Sequence, residues 1–190
     1  MKKISAIILL LACSVVAWGQ SDLLHPFGIK SGIMKTVTMK GDTKIGENTL
    51  WFDDYGRLQK GLTLTFMGEE FGTFSVTTYI KDKQCWFVND NGEVQQQEGR
   101  PEYVFSLLTP EQQKEIKFKD LGMEEYKGKQ CHKYYYEQKQ LVKSKITAWV
   151  WEGLMVRQHI KQTFSETLVE LEEIQEVPVP ASTFEVPASK

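Results

Sequence analysis

From Ile33 onward, short runs of alternating apolar and polar residues are separated by turn-forming Gly, Asn and Asp residues. Successive side chains of a strand point to opposite faces, so this alternation predicts half-buried antiparallel strands. The clearest run is Leu62–Phe66, whose period of two places Leu62, Leu64 and Phe66 on one face. The predicted strands are Ile33–Lys40, Thr49–Phe52, Leu62–Phe66, Thr73–Ile80, Cys85–Val88, Gln130–Glu137, Ser144–Trp151, Val156–Phe164 and Thr167–Glu173.

The pattern changes between residues 102 and 117, where one or two short helices are predicted. Thr109 is a suitable N-cap, Pro110 suits the first helical position, and Glu111 places a carboxylate in the first turn. No repeat and no low-complexity linker interrupts the rest. The sequence therefore predicts a single, mainly β domain over residues 20–190, with one or two short helices.

The first nineteen residues are typical of a secretory signal peptide. Lys2 and Lys3 precede the apolar run Ile4–Val16, and Ala17–Gly19 offers small residues for cleavage before Gln20. The run is shorter than the roughly 20 residues that a transmembrane helix needs. Export to the periplasm is therefore predicted.

An alternative concerns Cys13, because Leu10–Cys13 loosely resembles a bacterial lipobox. In that case the cysteine would be lipidated and the protein would be an outer-membrane lipoprotein. The segment Ser14–Trp18 stays apolar beyond the cysteine, where a lipoprotein usually begins a polar tether. Removal of Cys13 with the signal peptide is the preferred interpretation.

The net charge disfavours one class of partner, and the cysteine content leaves two possibilities open. The formal charge is −2 and becomes −4 once residues 1–19, with two lysines and no acids, are removed. Long basic runs are absent, which disfavours a nucleic-acid partner. Cys85 and Cys131 would remain in a compartment that permits disulfides, so they form either a disulfide or two buried thiols.

Residues suited to catalysis or metal binding are scattered. The three histidines do not pair at metal-ligand spacing, and no phosphate-binding loop, GxSxG or HExxH motif occurs. Cys131 and His132 are neighbours on a predicted strand and point to opposite faces, which disfavours a catalytic dyad. The sequence therefore predicts no enzymatic activity, no cofactor and no metal site.

Aromatic residues are concentrated in the predicted strands, and Trp149 and Trp151 share one face. Two interpretations stay open: an ordinary hydrophobic core, or the lining of a cavity beneath a curved sheet.

Four segments resemble the LolA-like superfamily of periplasmic lipoprotein carriers, particularly a branch abundant in Bacteroidetes. They are Phe52–Arg57, Tyr126–Tyr136, Ala148–Gln158 and Val179–Pro187. The resemblance implies an incomplete antiparallel β-barrel, or half-barrel, whose concave face covers helices and binds acyl chains. The carriers begin with an amphipathic helix, whereas Ser21–Ser31, with Pro26 and Gly28, does not predict one.

Together these observations predict an exported, non-enzymatic protein that binds lipid or lipoprotein acyl chains in a cavity of a curved sheet. The alternative is an envelope module that binds a protein partner or senses stress and has no ligand cavity. The predicted lining residues are Trp51, Leu62, Leu64, Phe66, Phe74, Val76, Trp149 and Trp151.

Overall fold

A computed structural model describes residues 25–98, 105, 108–139 and 143–188. The predicted signal peptide, its cleavage site and Cys13 lie outside these residues. The strands are β1 (Gly32–Lys40), β2 (Thr43–Asp53), β3 (Leu58–Phe66), β4 (Thr73–Lys81), β5 (Gln84–Asn89), β6 (Val94–Glu98), β7 (Lys119–Tyr126), β8 (Lys129–Lys139), β9 (Lys143–Trp151), β10 (Leu154–Lys161) and β11 (Glu166–Gln175). One helix, α1 (Pro110–Glu115), lies between β6 and β7.

All eleven strands form one antiparallel sheet in the order β6-β5-β4-β3-β2-β1-β11-β10-β9-β8-β7. Strands β1 to β6 pair as successive hairpins, and so do strands β7 to β11. In addition, β1 pairs with β11 and so joins the two halves of the chain. The edges are β6 and β7, and within the described residues they do not pair with each other. The predicted half-barrel is therefore confirmed as one large sheet that does not close.

The helix begins as its sequence predicts. The Thr109 hydroxyl accepts a hydrogen bond from the Gln112 N–H, and the Gln112 side chain accepts one from the Thr109 N–H. This capping box satisfies amide groups that the first turn leaves unpaired. Phe105 and Ile116, on either side of the helix, pack against Tyr136, Ile146 and other side chains of β8 and β9. The segment around α1 therefore covers one face of that part of the sheet.

A short segment of bends leads into β1. We call residues His25–Ser31 the N-terminal strap. The Phe27 N–H donates to the Tyr55 carbonyl at 3.0 Å, and the Gly28 N–H donates to the Glu152 carbonyl at 2.9 Å. The strap thus links the turn between β2 and β3 to the turn between β9 and β10. Gly56 has φ +82° and lies under the Phe27 ring, where a Cβ would come within 2.5 Å, so only glycine fits this turn.

The main core lies next to the strap. Phe27 packs edge-on against Phe52 at 5.2 Å between ring centroids. The core cluster comprises Phe27, Met34, Phe52, Tyr126, Cys131, Trp149, Leu154, Val156 and Leu171. The C-terminal segment is held at the same end, because the Ser31 hydroxyl donates to the Val177 carbonyl at 2.9 Å. Farther along this segment Phe184 is buried and anchors it.

Glu137 of β8 holds the end of α1 in place. Its N–H donates to the Ile116 carbonyl, and its buried carboxylate pairs with Lys117 at 2.9 Å and Lys143 at 3.2 Å. The Tyr135 hydroxyl donates to the same carboxylate at 3.0 Å. These contacts, led by the hydrogen bond from Lys117, lower the pKa of Glu137 to about 2.

We expect Phe52→Ala to lower the free energy of unfolding by about 3–5 kcal/mol, because Phe52 is 0% exposed and the deletion leaves a cavity. Phe164→Ala is the matched control. Its ring is 97% exposed, so a change below about 0.5 kcal/mol is expected. Denaturant titration followed by circular dichroism measures both, and equal losses would contradict the assigned core.

We expect Glu137→Gln to destabilise the protein at pH 7. A carboxyl group whose pKa falls on folding stabilises the native state at pH values above its ordinary pKa of 4.5. This contribution disappears as the pH falls towards the lowered pKa of about 2. The stability gap between wild type and variant should therefore close over that interval. Denaturant titrations from pH 7 to pH 2 measure it, with Glu69→Gln in an exposed turn as control. A gap that is independent of pH would contradict the ion-paired role.

Candidate functional site: one face of strand β3

Strand β3 carries a line of side chains that combines a cation with an apolar stripe. Lys60, Leu62, Leu64 and Phe66 follow each other at a spacing of two and project from the same face of the sheet. All four are half-buried. We call Leu62, Leu64 and Phe66 the β3 stripe. Six residue steps separate Lys60 from Phe66, which corresponds to about 20 Å of strand.

The neighbouring strands border the stripe with mostly polar side chains. Leu62 lies between Thr49 of β2 and Thr77 of β4 in the sheet register. Leu64 lies between Glu47 and Ser75, and Phe66 is paired with Thr73. Since directly opposite residues share a face, the stripe is one side chain wide.

A row of aromatic rings crosses the sheet at Lys60. The register places Trp51 and Tyr79 on either side of Lys60, and Trp86 next to Tyr79. The Lys60 Nζ atom lies 5.6 Å from the ring centroids of both Trp51 and Tyr79. Within the described ranges, no carboxylate forms an ion pair with this ammonium group. Lys60 is therefore a cation held between two aromatic rings.

The structure divides the eight predicted lining residues into three groups. Trp51 and the β3 stripe lie together on one face. Phe74 and Val76 are paired with Thr65 and Thr63, so they project from the opposite face. Trp149 and Trp151 belong to β9, and three strands separate β9 from β2. The sequence pattern did not single out Lys60, although it occupies the position two residues before Leu62.

Trp149 belongs to the core and has polar partners of its own. It is 6% exposed, and its Nε1–H donates to the Glu124 carboxylate at 2.8 Å. The Lys133 ammonium and the Arg157 guanidinium lie 4.8 and 4.7 Å from its ring centroid. Hydrogen bonds from Lys133 and Trp149 lower the pKa of Glu124. Both cations beside Trp149 thus have carboxylate partners, since Lys133 pairs with Glu124 and Arg157 lies 3.7 Å from Glu170.

The neighbouring Trp151 ring also contacts a cation, since the Lys129 Nζ atom lies 3.5 Å from its centroid.

The cysteines are two buried thiols that form no disulfide with each other and lie in different halves of the sheet, Cys85 on β5 and Cys131 on β8. This corresponds to the interpretation in which both pack as small hydrophobic side chains. Burial raises the pKa of Cys131, which keeps it in the thiol form. The ring of His132 stacks on Tyr134 and points to the other face of β8.

The described part of the chain has no metal-binding cluster and no membrane-spanning helix, and it has an open groove. No three His, Cys, Asp or Glu side chains there are arranged to hold a metal ion. None of the helices in the same residues has the length and apolarity to cross a membrane. An open groove of about 430 Å³ lies between the strap and the C-terminal segment. Its lining is Ile29, Lys30, Ser31, Asp53, Glu176, Val177, Pro178 and Val179, and includes none of the predicted eight.

No protein-family model and no curated protein matches the chain. Solved structures with similar folds include the complex of Pseudomonas aeruginosa MucA and MucB, with a TM-score of 0.48 and 11% identity over 83% of this chain and 58% of that one. LprF from Mycobacterium bovis has a TM-score of 0.35 and 12% identity, over 85% and 90% of the two chains. A putative outer membrane lipoprotein-sorting protein domain from Vibrio parahaemolyticus has a TM-score of 0.36 and 10% identity, over 82% and 89%.

The chain spans less than two thirds of the MucB chains that it matches. LprF and the sorting domain have LolA-like, lipoprotein-carrier folds. The likeness concerns the fold alone.

Proposed function

We propose that the protein is an exported, non-enzymatic binder of a single apolar chain, such as an acyl chain of a lipid or lipoprotein. The observation that supports this is the β3 stripe, where Leu62, Leu64 and Phe66 form an apolar line with mostly polar borders. Export rests on the predicted signal peptide. The stripe offers apolar contact to such a chain, so the proposed binding is passive.

The magnitude of the hydrophobic effect sets the expected strength of binding. Full burial of a methylene contributes roughly 0.8 kcal/mol, so a chain covered on one side by the stripe gains roughly 0.4 kcal/mol per methylene. Ten such groups contribute roughly 4 kcal/mol, which corresponds to a Kd of about 1 mM, and a longer chain or a polar headgroup contact strengthens it. Weak, exchangeable binding suits a protein that passes its ligand to another site.

A double variant in the stripe tests the proposal. Leu62→Thr with Leu64→Thr removes apolar contact and introduces β-branched residues that are compatible with a strand. We expect the affinity for a fluorescent C16 acyl probe to fall about tenfold, or about 1.4 kcal/mol. Val76→Thr is the matched control, because Val76 lies on the adjacent strand but faces the other way. Its affinity for the probe should be unchanged.

Two outcomes would contradict the proposed function. One is that the folded wild-type protein binds no acyl probe and carries no lipid in native mass spectrometry after purification from cell envelopes. The other is that Val76→Thr weakens binding while the stripe variant does not, which would assign the ligand to the opposite face. Circular dichroism of each variant establishes that its fold is retained.

A second candidate function is favoured by strand β7. Every residue of this edge strand except Tyr126 is exposed, and Leu121 and Met123 are 49% and 54% exposed. An exposed sheet edge is a template on which an extended segment of a partner protein can add a strand. This supports an envelope module that binds protein.

One variant distinguishes acyl-chain binding at the β3 stripe from protein binding at the β7 edge. Leu121→Glu with Met123→Glu places charges on the β7 edge and leaves the β3 stripe intact. If the edge is the functional surface, this variant loses crosslinks to envelope proteins that the wild type forms, whereas acyl-probe binding is unchanged. Loss of probe binding without any change in crosslinking would contradict this second candidate.

A further inference from the structure

We propose that Lys60 selects ligands whose apolar chain ends in an anionic headgroup. The inference rests on the proposed function and specifies the class of ligand for the same site. Lys60 and Leu62 are successive residues on one face of β3, so the cation stands at one end of the β3 stripe. A ligand with its chain along the stripe would place its headgroup beside the Lys60 ammonium.

Among the described residues, Lys60 has no carboxylate partner, unlike the two lysines that pair with glutamates on neighbouring strands. Lys35 pairs with Glu173 at 2.8 Å, and Lys133 pairs with Glu124 at 2.6 Å. Lys60 instead lies between the Trp51 and Tyr79 rings and, in the part of the chain that the structure describes, forms no salt bridge. An anion at this position would therefore gain an opposite charge without displacing a carboxylate.

The two rings make the ammonium group a better anion site than an ordinary surface lysine. They restrict the position of a side chain that is otherwise flexible, through cation–π contacts on both sides. The half-buried Trp51 and the buried Tyr79 also exclude part of the water that would screen the charge pair. Lys81, on the same face of β4, is a diagonal neighbour of Lys60 and adds positive charge near the same point.

The chemistry at Lys60 selects charge and leaves the shape of the headgroup open. An ammonium is a point charge with three donors, so it accepts a carboxylate or a phosphate, whereas an arginine fork favours planar, bidentate anions. The ligand class is thus a single-chain anionic amphiphile. The headgroup comes from either a free fatty acid or a phosphate-bearing lysolipid.

Three probes with the same C16 chain test this inference below their critical micelle concentrations. They are palmitate, palmitoyl lysophosphatidate and the uncharged monopalmitoylglycerol. We expect the wild type to bind an anionic probe about tenfold more tightly than the uncharged one at low salt, and this preference to shrink as salt screens the pair. The anionic probe with the higher affinity identifies the headgroup.

Substitutions of Lys60 test whether this lysine causes the preference for anionic probes. Lys60→Gln should abolish the preference for anionic probes over monopalmitoylglycerol, whereas Lys60→Arg should retain it. Lys83→Gln, in the exposed turn between β4 and β5, is the control and should behave as the wild type. Equal binding of charged and uncharged probes by the wild type, or a preference that persists in Lys60→Gln, overturns the headgroup site alone. Failure to bind all three probes overturns the proposed function as well.

Discussion

The pairing of β1 with β11 is the contact on which the rest of the sheet depends. It joins a six-stranded half, β1–β6, to a five-stranded half, β7–β11, and each half is otherwise built from local hairpins. The hydrogen bond from Ser31 to Val177, next to this pairing, spans 146 residues. Closing so long a loop costs conformational entropy that only many simultaneous contacts offset. The strap, the core around Phe52 and the C-terminal segment all lie at this end and supply those contacts.

Similar side chains have different roles in the two halves. Trp149 is a core residue whose neighbouring cations are each paired with a carboxylate. Trp51 and Tyr79 enclose a lysine that has no such partner among the described residues. The difference lies in the carboxylates Glu124 and Glu170, which come from other strands. Register across the sheet, rather than aromatic content, therefore decides which of these cation–ring contacts also has a carboxylate partner.

Alternation within one strand can be read from sequence, and the facing of one strand relative to another cannot. The period of two in Leu62–Phe66 gave the stripe correctly, because it depends on a single run. The facing of Phe74 and Val76 depends on how the β3–β4 turn sets the register, and one residue more or fewer would reverse it. Strands β6 and β7 were not predicted, because an edge strand needs no buried face and therefore need not alternate apolar and polar residues. Val94–Glu98, with its three glutamines, is an example. Phe164, predicted within a strand, lies in the turn after β10, where an apolar residue interrupts a polar loop.

The order of the strands has a consequence for synthesis. The ribosome delivers β1 early, yet the neighbour that covers one of its edges is the last strand of the chain. Until Gln175 has emerged, that edge presents unpaired amide and carbonyl groups, and part of the core around Met34 lacks its cover from β11. A nascent or truncated chain without β11 is therefore open to pairing with other chains. The complete sheet can form only after β11 has been synthesised.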